Sequence, residues 1–169
     1  FQLKEGRRRL VAIQASEKLS VNYRLEATDR GGHSSMPRKE NPIYRIAAAL
    51  SRISAFEFPV ELNEVTRLYF DRMSGVETGQ LAADMKGVAP TPPDPAALKR
   101  LAESPYVNAL LRTTCVSTRL DGGHADNALP QRARAIVNCR LLPGSDPEDV
   151  RKTLARVVGD DSVSVTGPI

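Results

Sequence analysis

Histidine and cysteine are scarce in this chain, with two of each in 169 residues. A hydrolytic metal centre needs three or more ligands from His, Asp, Glu or Cys held convergently, with an acid or base beside the bound water. His33 and His124 stand far apart, HExxH is absent, and His124-Ala125-Asp126 is a superficial match without further partners. No metal ligand is therefore assigned. Cys115 and Cys139 are too few for a disulfide scaffold and too distant for a CxxC motif, so free, partly buried thiols are expected. No Gly-x-Ser-x-Gly elbow is present, which removes the usual serine-hydrolase geometry. No apolar run reaches the roughly 18 to 20 residues of a membrane span, and charges occupy Phe1 to Leu10 where a signal peptide would be apolar. No repeat of the solenoid kind is found.

What is present suits a folded, soluble domain, 41% hydrophobic and 26% charged, in the cytoplasm or periplasm. The net charge of +4 raises the possibility of nucleic-acid binding, but apart from Arg7 to Arg9 the basic residues alternate with acids, and no base-stacking motif accompanies them. Neither nucleic acid nor membrane is expected as a partner. The chain starts without Met in the middle of a polar stretch, as an excised piece of something longer would.

Strict alternation from Lys18 to Ala27 predicts a strand with Leu19, Val21, Tyr23, Leu25 and Ala27 on its apolar side. Asn41-Pro42 offers a cap and a first-turn proline for a helix whose stripe is Ile43, Ile46, Ala47, Leu50 and Ile53, leaving Arg45 and Arg52 toward water. Residues 56–108 read as a mainly helical insertion, with patterns near Glu64–Met73, Gly79–Lys86 and Ala96–Glu103. Its apolar residues, among them Leu68, Phe70, Leu81, Leu98 and Leu101, look too sparse for an independent core. Strands follow at Arg112–Leu120 and Arg132–Leu142, with Asp121-Gly122-Gly123 as a turn. A helix begins at Asp146-Pro147 with the stripe Val150, Leu154, Val157 and Val158, and a last strand spans Ser162–Thr166. The order is strand, helix, insertion, strand, strand, helix, strand. That is the α+β, ferredoxin-like split βαβ sandwich, a four-stranded antiparallel sheet with two helices on one face. Residues 18–55 and 109–166 form the core of a single domain spanning 1–169.

The loop Gly31-Gly32-His33-Ser34-Ser35-Met36-Pro37 concentrates the chemistry. Two glycines permit close backbone approach, and the small polar residues after His33 leave its ring accessible while fixing its tautomer. Asn127, before Ala128-Leu129-Pro130, is either a plain turn former or an amide that holds a substrate carbonyl or carboxylate. His124 reads as a turn residue.

These residues carry a resemblance. The His33 loop with Asn41-Pro42-Ile43-Tyr44-Arg45-Ile46-Ala47-Ala48-Ala49-Leu50, and later Asp126-Asn127-Ala128-Leu129-Pro130-Gln131-Arg132-Ala133 with Asn138-Cys139-Arg140-Leu141-Leu142-Pro143-Gly144, resemble the lid, or dimerisation, domain of the aminoacylase and carboxypeptidase family of zinc metallopeptidases. That family includes succinyl-diaminopimelate desuccinylase and carboxypeptidase S relatives, and the carboxypeptidase S-like branch carries a comparable insertion. The resemblance implies that this chain is the lid alone, without the catalytic domain and its two zinc ions, so that no cofactor resides here and the chain by itself is inactive. It further implies a homodimer formed through the lid, with His33 stabilising an oxyanion in the partner subunit. Asn127 and Arg140 would contact a peptide or N-acyl amino acid substrate. The reading from another class is a free-standing ferredoxin-like protein-interaction module without catalysis.

Overall fold

The computed structural model describes residues 2–4, 7–10 and 16–169. Strands β1 (Gln2–Lys4) and β2 (Arg7–Leu10) pair antiparallel; Glu5, Gly6 and the side chains of Arg7–Arg9 lie outside the described residues. Then come β3 (Leu19–Thr28), β4 (Gly32–His33), α1 (Pro42–Ala55), α2 (Glu64–Ser74), α3 (Gly79–Val88), α4 (Pro95–Ala102), α5 (Pro105–Leu111), β5 (Thr114–Gly122), β6 (Ala128–Leu129), β7 (Arg132–Leu141), α6 (Pro147–Val158) and β8 (Val163–Thr166). Two compact units emerge: residues 18–58 with 114–169, and residues 1–17 with 59–113.

In the first unit the sheet order is β5-β7-β3-β8 with every neighbour antiparallel, the ferredoxin-like arrangement expected from the element order. Alternation on β3 and β7 turns Val21, Tyr23, Leu25, Ala133, Ala135 and Val137 inward. These residues pack with Ile46, Ala49 and Ile53 of α1 and Val150, Leu154 and Val158 of α6 in one core. Asn41 caps α1, its Oδ1 accepting from the Ile43 N–H at 2.8 Å, and Asp146 caps α6 in the same way through Glu148.

The buried stripe of α1 differs from the sequence reading. Ala49 lies inside, whereas Ile43 and Ala47 are exposed. Ala47-Ala48-Ala49 gives hydrophobicity no phase, so packing on the sheet decided which alanine faces in. Arg45 and Arg52 are not simply turned to water either. Arg45 Nη1 donates to both carboxylate oxygens of Asp160 at 2.8 Å, and Arg52 donates to the Val158 carbonyl.

The cysteines also depart from expectation. Cys115 on β5 and Cys139 on β7 are direct partners in the ladder, with Cα atoms 4.1 Å apart, and they form a disulfide. Distance along the chain excluded a CxxC motif but carried no information about cross-strand register. Such bridges persist in oxidising compartments.

The second unit builds its own apolar cluster from Phe70, Met73, Met85, Val88, Ala97, Leu101, Val107 and Leu111. Its apolar residues are thus less sparse than expected, although Leu68 and Leu81 are exposed. Helix α5 was not anticipated. Ser104 caps it and Pro105 starts it, so Arg112 ends a helix and the strand begins later, at Thr114. Among the described residues no helix is long and apolar enough to cross a membrane.

Tyr23 ties the sheet to the start of α6. Its ring is fully buried and its hydroxyl donates to the Pro147 carbonyl at 2.7 Å. Burial first, then the Glu148 and Asp146 carboxylates, push its pKa up to about 12 against the opposing effect of Arg151. The folded state therefore holds the phenolic proton more tightly than the unfolded chain. The associated stability is complete below the unfolded value near 10 and is lost as pH rises toward 12. Tyr23→Phe should lower stability by about 1 kcal/mol at neutral pH and flatten part of the alkaline loss. Urea unfolding at neutral and alkaline pH checks this, and equal alkaline losses in both proteins would contradict it.

Candidate functional site

The two sequence stretches singled out above meet at one end of the sheet. Because β3 and β7 run antiparallel, with Thr28 opposite Arg132, the loop leaving β3 lies beside the segment entering β7. There β4 and β6 form a short ladder, with Gly32 opposite Leu129 and His33 opposite Ala128. The Ser34 N–H donates to the Asn127 carbonyl at 3.0 Å, and the Asp29 N–H donates to that of Gln131 at 2.9 Å. His33 and Asn127, nearly a hundred positions apart in sequence, are thus backbone neighbours.

Glycine is needed at this crossing. Gly31 has φ 76°, and a Cβ there would stand 2.7 Å from Gln131 Cγ; Gly32 has φ 148°. Arg38 fastens the loop from its far side, Nη2 donating to Asp29 Oδ1 at 2.5 Å and to the Gly31 carbonyl at 2.9 Å. This clamp was not read from the sequence, because an Arg nine positions from an Asp has no local signature.

The His33 ring is exposed, and its Nδ1 faces Ser35. The Ser35 backbone N–H donates to Nδ1 at 3.2 Å, and the Ser35 hydroxyl lies 2.8 Å from the same nitrogen. A backbone N–H can only donate, so Nδ1 of the neutral ring must accept and Nε2 must carry the proton. The local contacts therefore turn an N–H donor outward from a loop held on both sides, as a fixed hydrogen-bond donor for developing negative charge requires.

Asn127 is exposed beside it. His124 is also exposed, in a bend after Gly123, whose φ is 77°. Arg140 is not brought to this end. It lies opposite Ser20 and Thr114, eight residues along β7 from Arg132, a strand length of about 27 Å. A second cation stands with it. Lys18 has its pKa lowered to about 8, by burial first and then by Arg140. Alternation placed Lys18 at the head of the strand but gave no hint that its ammonium neighbours Arg140. Among the described residues no group of three or more His, Cys, Asp or Glu is placed to hold a metal ion.

Comparison with known proteins places the chain in a family. The profile described as peptidase dimerisation domain matches residues 15–166. A probable carboxypeptidase S-like 2 of Dictyostelium discoideum is 31% identical over 160 residues, covering 93% of this chain and 30% of that protein. The human N-fatty-acyl-amino acid synthase/hydrolase PM20D1 is 30% identical over 154 residues, covering 91% of this chain and 30% of its own length. The chain thus spans about 30% of the length of these curated relatives. The crystal structure of human carnosine dipeptidase 1 aligns with a TM-score of 0.53 at 12% identity, over 94% of this chain and 39% of that one, a likeness of fold.

The tautomer is directly measurable. At about pH 8.5, where histidine is ordinarily neutral, long-range ¹⁵N–¹H correlation spectra should show His33 Nε2 protonated and Nδ1 bare. A predominantly Nδ1-protonated ring would refute the arrangement.

Proposed function

The chain belongs to the M20 peptidase dimerisation-domain family, and from that premise we propose that it is the lid of a zinc-dependent peptidase or amidohydrolase acting on peptide or N-acyl amino acid amide bonds. In this reading His33 donates its Nε2–H to the oxyanion that forms in the active site of the partner subunit. The observation that carries the proposal is the outward donor on a loop fixed by Ser35, Arg38 and the β4–β6 ladder. The described residues do not offer a ligand set for the two zinc ions, which would be held by the catalytic domain of the parent. Alone, the chain is expected to hydrolyse no amide.

The exposed edge of the sheet supports the homodimer. At one edge β8 has four residues, too short to be a useful template, whereas β5 has nine and faces outward. Leu120 is 64% exposed on β5, and the exposed Ile43 of α1 lies over the neighbouring Gly122, where a Cβ would stand 3.0 Å from Ile43 Cγ1. A second copy pairing along β5 would satisfy the free edge and cover this apolar ridge.

The distance between His33 and Arg140 acquires a purpose in such a dimer. The strand β7 puts about 27 Å between Arg132, at the His33 end, and Arg140, so His33 and Arg140 cannot hold one small substrate together. We assign His33 and Asn127 to the partner's active site and Arg140, as a carboxylate-binding guanidinium, to the active site of its own subunit. Each lid would then serve both centres, and neither centre would be complete in a monomer. The free-standing interaction module shares the β5 edge but gives His33 nothing to do.

In the full-length parent, His33→Ala should lower kcat by about 10²- to 10³-fold while moving KM far less; an unchanged kcat would sink the oxyanion role. For the chain itself, sedimentation equilibrium should show a dimer that Leu120→Arg converts to monomer, whereas Val65→Arg on α2 leaves the mass unaltered. A monomeric wild type, or a Leu120→Arg dimer, would exclude the β5 edge.

A further inference from the structure

The helical unit contains a cavity of about 600 Å³ walled by α2, α3, α4 and α5, a volume within the range of small-molecule sites. Its floor is apolar, made by Met73, Met85, Leu101 and Val107. Methionine side chains are flexible and polarisable, so this floor can adapt to an aliphatic or aromatic body.

The polar part of the wall is unbalanced. Three carboxylates, Glu77, Asp84 and Glu103, line the cavity against Arg100, the one cationic lining side chain among the described residues. Arg100 is committed: its Nε and Nη2 donate to Asp84 at 2.6 to 3.0 Å, and Gln80 donates to the same carboxylate at 2.8 Å. Asp84 is 4% exposed, and the partly exposed Arg100 holds its carboxyl below the usual range, so the two charges offset each other at the wall. Glu77 and Glu103 remain as the surplus negative charge.

Two phenol rings accompany Glu77. Tyr69 is half-buried and Tyr106 is 67% exposed, and both line the cavity. Burial first, then Tyr106 and Glu77, push the Tyr69 phenol up to about 12, so Tyr69 stands within electrostatic reach of both on the cavity wall they share. Carboxylate and aromatic faces on one side, with a pliable apolar floor on the other, are the complement of a cation carried on an apolar body.

We propose that this cavity binds an amphiphilic organic cation, its ammonium or guanidinium group held by Glu77 with Tyr69 and Tyr106 and its apolar body lying on Met73, Met85 and Val107. Anionic amphiphiles of the same length are disfavoured by the surplus carboxylates, and neutral ones gain only the floor. The site is independent of His33.

The test compares n-octylammonium, n-octanol and octanoate, one tail with three head groups, by following the ε-methyl NMR signals of Met73 and Met85 in the ¹³C-methionine-labelled chain. Octylammonium should shift both signals saturably and bind about tenfold or more tightly than octanoate, with octanol between. Glu77→Gln, which keeps the side-chain shape, should remove most of the preference for the cation and leave octanol unchanged. Absence of saturable shifts with octylammonium would overturn the site. Equal affinity for octanoate, or a preference that survives in Glu77→Gln, would overturn the assignment of a cationic ligand.

Discussion

The ten-residue pairing of β3 with β7, from Leu19 opposite Leu141 to Thr28 opposite Arg132, is the constraint on which the placement of the His33 loop depends. Its antiparallel sense carries the end of one strand to the start of the other and so brings the His33 loop against Asn127. Its register is enforced by burial, because a slip of one residue would turn Tyr23, Leu25, Val137 and Cys139 out of the core. On its other side β7 pairs with β5 in a second antiparallel register that sets Cys115 opposite Cys139, and their disulfide fastens the edge strand β5 to the centre of the sheet.

Around that fixed frame, function is left to short, polar and exposed pieces. The His33 loop has little apolar anchorage, so its shape comes from hydrogen bonds: Arg38 to Asp29 and Gly31, Ser34 to Asn127, and Ser35 to the ring. The result is an N–H donor whose tautomer and direction are set by the loop itself. At the opposite end Lys18 and Arg140 concentrate positive charge, while Glu26 pairs with Arg134 and Arg119 with Asp121 nearer the His33 end. The sheet therefore presents two chemically different ends.

Much of this was legible in the chain. Alternation at 18–27 and 132–142, together with the capped starts Asn41-Pro42 and Asp146-Pro147, specified the four core elements because each signal is local. The loop chemistry marked out His33 and implied local hydrogen bonds to its ring, but only the folded loop showed that Ser35 makes them. The readings that failed were those in which local pattern is silent. Three alanines left the phase of α1 open, and Ser104-Pro105 was passed over because the helix it starts is short. The cluster of Phe70, Met85, Val88 and Leu111 is built from residues on separate helices, so counting along the sequence underestimated it.

Sequence alone determined which faces of the central strands are apolar, where the principal helices start, and which loop carries an accessible imidazole, since all three follow from the order of side chains within a few residues. Only the tertiary structure decided that Cys115 and Cys139 are bonded, that His33 and Asn127 are neighbours, and that Arg140 stands far from both. Those relations are set by the register and direction of paired strands, which arise from burying two distant segments against each other and leave no mark in either segment by itself.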